Sequence, residues 1–194
     1  MDPVYKKLFK DLNKDRDFSL AKRNAIKKEF EKIKNEMLDE FNDHPVTREI
    51  EAGVDAPNIS GTLNGVTNLF SFIGFNAGDN PISPIRELLE KSFFKIHRGN
   101  SEISIATFEI PNAKMIFSVT PLPWATGRSW ARGIERGISG LGYYLKKTQG
   151  SRSGLGIQAK RQVNKGLKYR NTRYISALIN KYEKKLKNLN KINI

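Results

Sequence analysis

The densest chemistry-bearing set in this 194-residue chain is cationic: Arg128, Arg132, Arg136, Lys146, Lys147, Arg152, Lys160, Arg161, Lys165, Lys168, Arg170 and Arg173 fall within one stretch. Such side chains neutralise phosphates or grip acidic protein surfaces, through contacts that carry no sequence information and weaken with salt. Trp130, Tyr143, Tyr144 and Tyr169 are interleaved with them and have faces on which bases can stack. The same aromatics suit a hydrophobic core equally well. No DNA-reading helix motif accompanies them, which argues against a sequence-specific transcription factor.

Bond-making chemistry finds less support. There is no cysteine, which excludes disulfides, iron–sulfur clusters and thiolate zinc sites. Of the two histidines, His97 lies beside Arg98 and reads as a structural or surface residue. His44 precedes Pro45, where an imidazole can satisfy carbonyls at a helix end. The pairs Asp39/Glu40 and Glu49/Glu51 read as solvated helix faces, because acid–base carboxylates usually converge from separate elements. A metal-dependent nuclease would have to draw on Glu49, Glu51 or Glu109. The run "GISGLG" at 137–142 lacks the Lys-Ser/Thr ending of a phosphate-cradling loop. Neither an enzyme nor a cofactor is expected. The N-terminal run lacks the apolar centre of a signal peptide, and no apolar stretch approaches the ~20 residues of a membrane span, so membrane insertion is not expected.

The net charge of +14 is unevenly placed. Residues 1–127 hold 17 Lys+Arg against 18 Asp+Glu, whereas residues 128–194 hold 17 against Glu135 and Glu183. A nearly neutral body therefore carries a strongly cationic last third, which calls for a polyanion or an acidic neighbour.

The elements that must position these residues follow from periodicity. Ile26, Phe30, Ile33, Met37 and Phe41 recur at helical steps, which predicts a long amphipathic helix over 18–43, capped by Ser19 and stopped by His44-Pro45. A shorter amphipathic piece, Asp2 to Leu12, forms an arm able to dock on a neighbour. "SPIRELLEKSF" (83–93) predicts a short helix opened by Ser83 and Pro84. "FFKIHRG", "SEISIATFEI" and "AKMIFSVT" predict a three-stranded antiparallel meander. Residues 121–147 read as a helix or broken helix, since Gly133, Gly137, Gly140 and Gly142 each weaken a helix by ~1 kcal/mol. Ile175, Leu178, Ile179, Tyr182 and Leu186 predict a closing helix. The fold class is α+β: a long N-terminal helix on a small antiparallel sheet, with a C-terminal helix and extended arms. The expected divisions are an arm (1–17), a core (18–147), a basic loop (148–171) and a helix packing on the core (172–194).

Three short segments in this order, "APNISGTL" (Ala56–Leu63), "WARGIERG" (Trp130–Gly137) and "RYISAL" (Arg173–Leu178), resemble the tail-completion or neck proteins of long-tailed bacteriophages. That family has a helix followed by Ala-Pro-x-x-Thr-Gly-x-Leu and strands, and here Ser60-Gly61 replaces Thr-Gly. The resemblance implies a non-enzymatic ring of identical subunits at the head–tail junction, contacting other virion proteins and, non-specifically, packaged DNA. In such a ring Leu69, Phe70, Phe72, Ile73 and Phe75, with Trp124 and Trp130, would form an exposed oligomer or partner interface. A buried strand of the chain's own sheet is the other reading of that aromatic block. A basic nucleic-acid-binding module is the alternative function.

Overall fold

A computed structural model describes residues 3–12, 15–63, 67–98, 104–138, 157–158 and 172–189. Helix α1 spans Pro3–Leu12 and α2 spans Arg16–Asp43, with Ile26, Phe30, Met37 and Phe41 of α2 buried. Asp15, rather than Ser19, caps α2: its carboxylate accepts from the Asp17 and Phe18 N–H groups at 2.8 and 3.0 Å. This earlier cap starts the helix at Arg16, ahead of the point from which the apolar period can be read. At the other end His44 is extended, and Pro45, which cannot donate a backbone bond, opens helix α3 (Pro45–Glu51) instead of ending all helical structure.

The aromatic block folds as the short helix α4 (Leu69–Ile73), not as a strand. Asn68 caps it, accepting from the Ser71 N–H at 2.8 Å. Gly74 ends it at φ +89°, and a Cβ there would also meet Trp124 Cδ1 at 3.3 Å, so the position favours glycine twice over. Helix α5 (Ser83–Glu90) follows. Ser83 lies inside its first turn, and Asn80 Oδ1 accepts the Ser83 N–H at 3.2 Å.

Strands β1 (Phe93–Arg98) and β2 (Ser104–Glu109) pair antiparallel, with Phe93 opposite Glu109 and Arg98 opposite Ser104. The third strand of the expected meander is instead helix α6 (Ala113–Ser118). Asn112 caps it through the Met115 N–H at 3.0 Å. The apolar residues Ala113, Ile116 and Phe117, all packed on the core, have helical rather than alternating spacing. Two short antiparallel pairs complete the sheets: β3 (Pro121–Leu122) with β4 (Ala125–Ser129), and β5 (Gly137–Ile138) with β6 (Ile157–Gln158). Helix α7 (Trp130–Arg136) joins β4 to β5.

Helix α8 (Ile175–Leu189) closes the fold against α2. The Tyr182 hydroxyl donates to the Glu40 carboxylate at 2.7 Å, and Lys185 pairs with Glu36 at 2.7 Å. One hydrophobic cluster runs from Met37 and Phe41 through Ile50, Phe70, Ile85 and Trp130 to Tyr174 and Ile179. The long helix also covers the hairpin, with the Phe30 ring 5.4 Å from Phe94 and 5.7 Å from Phe108. The chain is thus α+β, and the C-terminal helix shares the core of the body. Among the described residues no helix is long and apolar enough to cross a membrane.

Candidate anion-binding groove

The groove is built where α6, β3–β4 and α7 meet. Trp130 and Ile134 are buried, which turns Arg132 and Arg136, four residues apart, outward on one side of α7. Arg128 leaves the end of β4 with its guanidinium 5.8 Å from the centre of the Trp124 ring. A hydroxyl relay ties the three walls. Thr120 donates to the Ile116 carbonyl at 3.0 Å, and Ser129 and Thr120 hydroxyls lie 2.7 Å apart. Ser129 Oγ accepts the Arg132 N–H at 3.1 Å. With Thr120 donating into α6, the Ser129 hydroxyl donates to Thr120 and accepts from α7, so each oxygen is satisfied.

The resulting open groove holds about 660 Å³ and has a partly apolar floor that includes Phe117 and Leu122. Lys114, Arg128, Arg132 and Arg136 line it, and among the described residues no carboxylate does. A second hollow of about 500 Å³ shares Arg136 and adds Arg173, Lys181 and Lys184. Its one carboxylate among the described residues, Glu135, is engaged: it accepts the Ser176 N–H and the Ser176 hydroxyl, both at 2.6 Å. That contact satisfies donors at the start of α8. Lys181 is paired with Glu40. Together the two hollows make a cationic track suited to several phosphates or carboxylates in a row.

Of the predicted cations, Arg128, Arg132 and Arg136 are exposed and come together in the groove. Lys146, Lys147, Arg152, Lys160, Arg161, Lys165, Lys168 and Arg170 lie outside the described residues. Lys114 is an addition that sequence reasoning does not supply, because it is remote from the basic third and joins the groove only through the turn that follows α6.

The apolar interface expectation requires correction. Leu69, Phe70, Ile73 and Trp130 are buried in this chain's own core, while Phe72, Phe75 and Trp124 are half-buried and packed against it. The Trp124 indole N–H donates to the Ile73 carbonyl at 2.7 Å, and the Phe75 ring meets Trp130 edge-on at 5.9 Å. Leu69, Phe70, Ile73 and Trp130 thus fill the body, and Phe72, Phe75 and Trp124 keep part of their surface exposed.

Glu49 is likewise not on a solvated face. It is fully buried, on the same side of α3 as Val46 and Ile50. One oxygen accepts the Leu69 N–H at 2.7 Å and the Asn58 amide at 3.0 Å, and the other accepts the Ser60 N–H at 2.6 Å. Asn68 adds amide bonds to the Val54 and Ala56 carbonyls at 2.7 and 2.8 Å. The polar, glycine-rich connection is therefore wrapped around one carboxylate, which supplies the acceptors its buried N–H groups need. Glu51 pairs with Arg86 at 2.7 Å and Glu109 with Lys95 at 3.4 Å. The three carboxylates do not converge. Among the described residues no group of three or more His, Asp or Glu is arranged to hold a metal ion.

His97 is exposed on β1. His44 is structural: Nδ1 accepts the Val46 N–H at 3.2 Å, so Nε2 carries the proton and donates to the Arg173 carbonyl at 3.2 Å. Burial pushes its pKa below the usual imidazole value, against the opposing pull of that carbonyl and of Glu40. Tyr174, packed among the rings of Phe41, His44 and Trp130, shares a 2.9 Å bond with Thr47, and burial pushes its hydroxyl pKa up.

Compared with protein-family models, with curated proteins and with solved structures, the chain gives no match.

Proposed function

We propose that this chain is a non-enzymatic structural subunit of a tailed-phage particle, set at the head–tail junction as a neck, tail-completion or tail-terminator component. Identical copies would form a ring, made in the host cytoplasm and built into the virion beside head, neck or tail proteins. The observation that carries this reading is that carboxylates of the body hold the resembling segments in place. "APNISGTL" is held by Glu49, and Glu135 of "WARGIERG" caps the helix that begins within "RYISAL", 41 residues away in sequence. Glu49, a carboxylate that could have served catalysis, is engaged in holding the body together, and the outward-facing groove is cationic. In a ring, that track facing the axis would touch passing DNA through phosphates, and facing outward it would grip acidic neighbours. The test is quantitative mass spectrometry and electron microscopy of purified particles. The protein should be present in a fixed low copy number and label the junction, and its absence from particles sinks the reading.

One observation favours a second reading, a basic nucleic-acid-binding module: among the described residues the groove is lined by Lys114, Arg128, Arg132 and Arg136 and by no carboxylate that would repel a phosphate backbone. Tight binding of the isolated chain to duplex or single strands, with no incorporation into particles, would select it.

A further inference from the structure

Helix α1 and the hollow beside β2 are two exposed apolar features of the same chain. Val4, Leu8 and Leu12 lie at i, i+4 and i+8 of α1 and are 72%, 55% and 37% exposed. Every described side chain of α1 is exposed. A ten-residue helix is marginal in water without a surface to pack on. The hollow, about 750 Å³, lies between β2, α6 and α8 and is lined by Ala106, Phe108, Ile110, Met115 and Leu186, with Phe93 at its edge. Met115 and Phe93 are 48% and 42% exposed.

We infer that α1 of one copy docks its Val4-Leu8-Leu12 stripe into the β2–α6–α8 hollow of a second copy. The tether excludes the chain's own hollow. The turn between α1 and α2 is closed by the Asp15 N–H bonding the Leu12 carbonyl at 3.1 Å, which keeps Leu12 beside the start of α2. Folded back along α2, Leu8 would lie ~6 Å and Val4 ~12 Å beyond Leu12. The hollow begins at Phe108, which stacks on Phe30, and Phe30 lies ~21 Å along α2 from Arg16. The first buried residue of α2 is Ile26, so the opening turns of α2 stand clear of the core and present α1 outward. An amphipathic helix entering an apolar groove through residues one turn apart is a recurrent mode of recognition. The rim of the hollow carries Lys91 and Lys187 as well as Glu109 and Glu183, so its charges balance and its apolar lining is what the Val4-Leu8-Leu12 stripe would cover. The inference shares with the ring reading only the need for a second copy.

The absence of cysteine makes the test direct. L8C and M115C proteins, mixed under a mild oxidant, should give a disulfide-linked dimer at least tenfold faster than L8C mixed with V54C, where Val54 is exposed elsewhere. Adding V4E and L12E to the L8C chain should abolish that excess while the thermal melt stays unchanged, since Val4 and Leu12 are exposed and lie outside the core cluster. No excess over the V54C control overturns the inference, as does an L8C/M115C double variant that closes its disulfide within a monomer. A ring seen in particles without the L8C–M115C link defeats the inference alone, and the link without incorporation into particles defeats the virion reading alone.

Discussion

The connection around Glu49 and the groove beside α7 handle charge in opposite ways. Around Glu49, a single carboxylate sits in the interior and meets three N–H donors from residues 58–69. In the groove, four cations share an open surface that no carboxylate among the described residues lines. Buried charge must be matched locally, because desolvation of an unpaired ion is severe. Exposed like charges cost little in water and keep a long-range field. The first arrangement therefore fixes structure, and the second is fitted to attract something outside the chain.

Removing Glu49 is the strongest way to break this contrast. Glu49→Ala leaves the Ser60 and Leu69 N–H groups without their acceptor and opens a cavity, and should destabilise the fold by about 3–5 kcal/mol in urea melts. Glu49→Gln keeps one acceptor and should lose less. A loss under about 1 kcal/mol for the alanine variant would mean that the connection is held by its Asn68 and Ser60 side-chain bonds instead, and that the carboxylate is incidental.

Arg132→Ala with Arg136→Ala addresses the other region. Both are exposed, so stability should change by no more than about 0.5 kcal/mol per site. Binding to heparin or duplex DNA should weaken about tenfold, and the slope of log K against log salt should fall by roughly 2. An unchanged slope would place the polyanion contact in the other cations of the last third and leave the groove without a role.

Much of this division is legible in the residues, in unequal parts. The stripe Ile26-Phe30-Met37-Phe41, the β-branched and aromatic runs of 93–98 and 104–109 and the closing Ile175-to-Leu186 face announce α2, the hairpin and α8, because each repeats over several turns or pairs. "AKMIFSVT" and "NLFSFIGF" mislead, since β-branched and aromatic residues favour strands on average. Caps one residue upstream, Asn112 and Asn68, decide for helix. The Phe cluster suggests a surface for neighbours, whereas its burial depends on Trp124 and Trp130, some fifty residues away. Glu49 leaves one faint signal, a charged residue on the Val46–Ile50 side of a short helix. Its partners at 58–69 are set by tertiary folding and have no period to betray them. The excess of cations from Arg128 onward is visible by counting, but the inclusion of Lys114 is not.

The smallest effect expected lies at the seam between the two regions, where His44 joins α3 to the residue that begins the second hollow. A pH unit or more above 6.5, the usual imidazole value, His44 is essentially neutral whether folded or unfolded and contributes little pH dependence. Below it, the unfolded chain takes up a proton that the folded chain resists, so stability falls by at most ~1.4 kcal/mol per pH unit until the lowered folded pKa is reached. Protonation of Nδ1 would remove the acceptor of the Val46 N–H, which gives the resistance a structural cause. Glu36 and Glu40 have lowered pKa values, and their stabilisation is lost only further down, as pH falls below 4.5. His44→Asn preserves a capping acceptor for Val46 but cannot titrate, so thermal melts of that variant should be flat between pH 6.5 and 5 where the parent declines. Parallel pH profiles would show that the imidazole stays solvated and that the Arg173 contact does not bind α3 to the cationic flank.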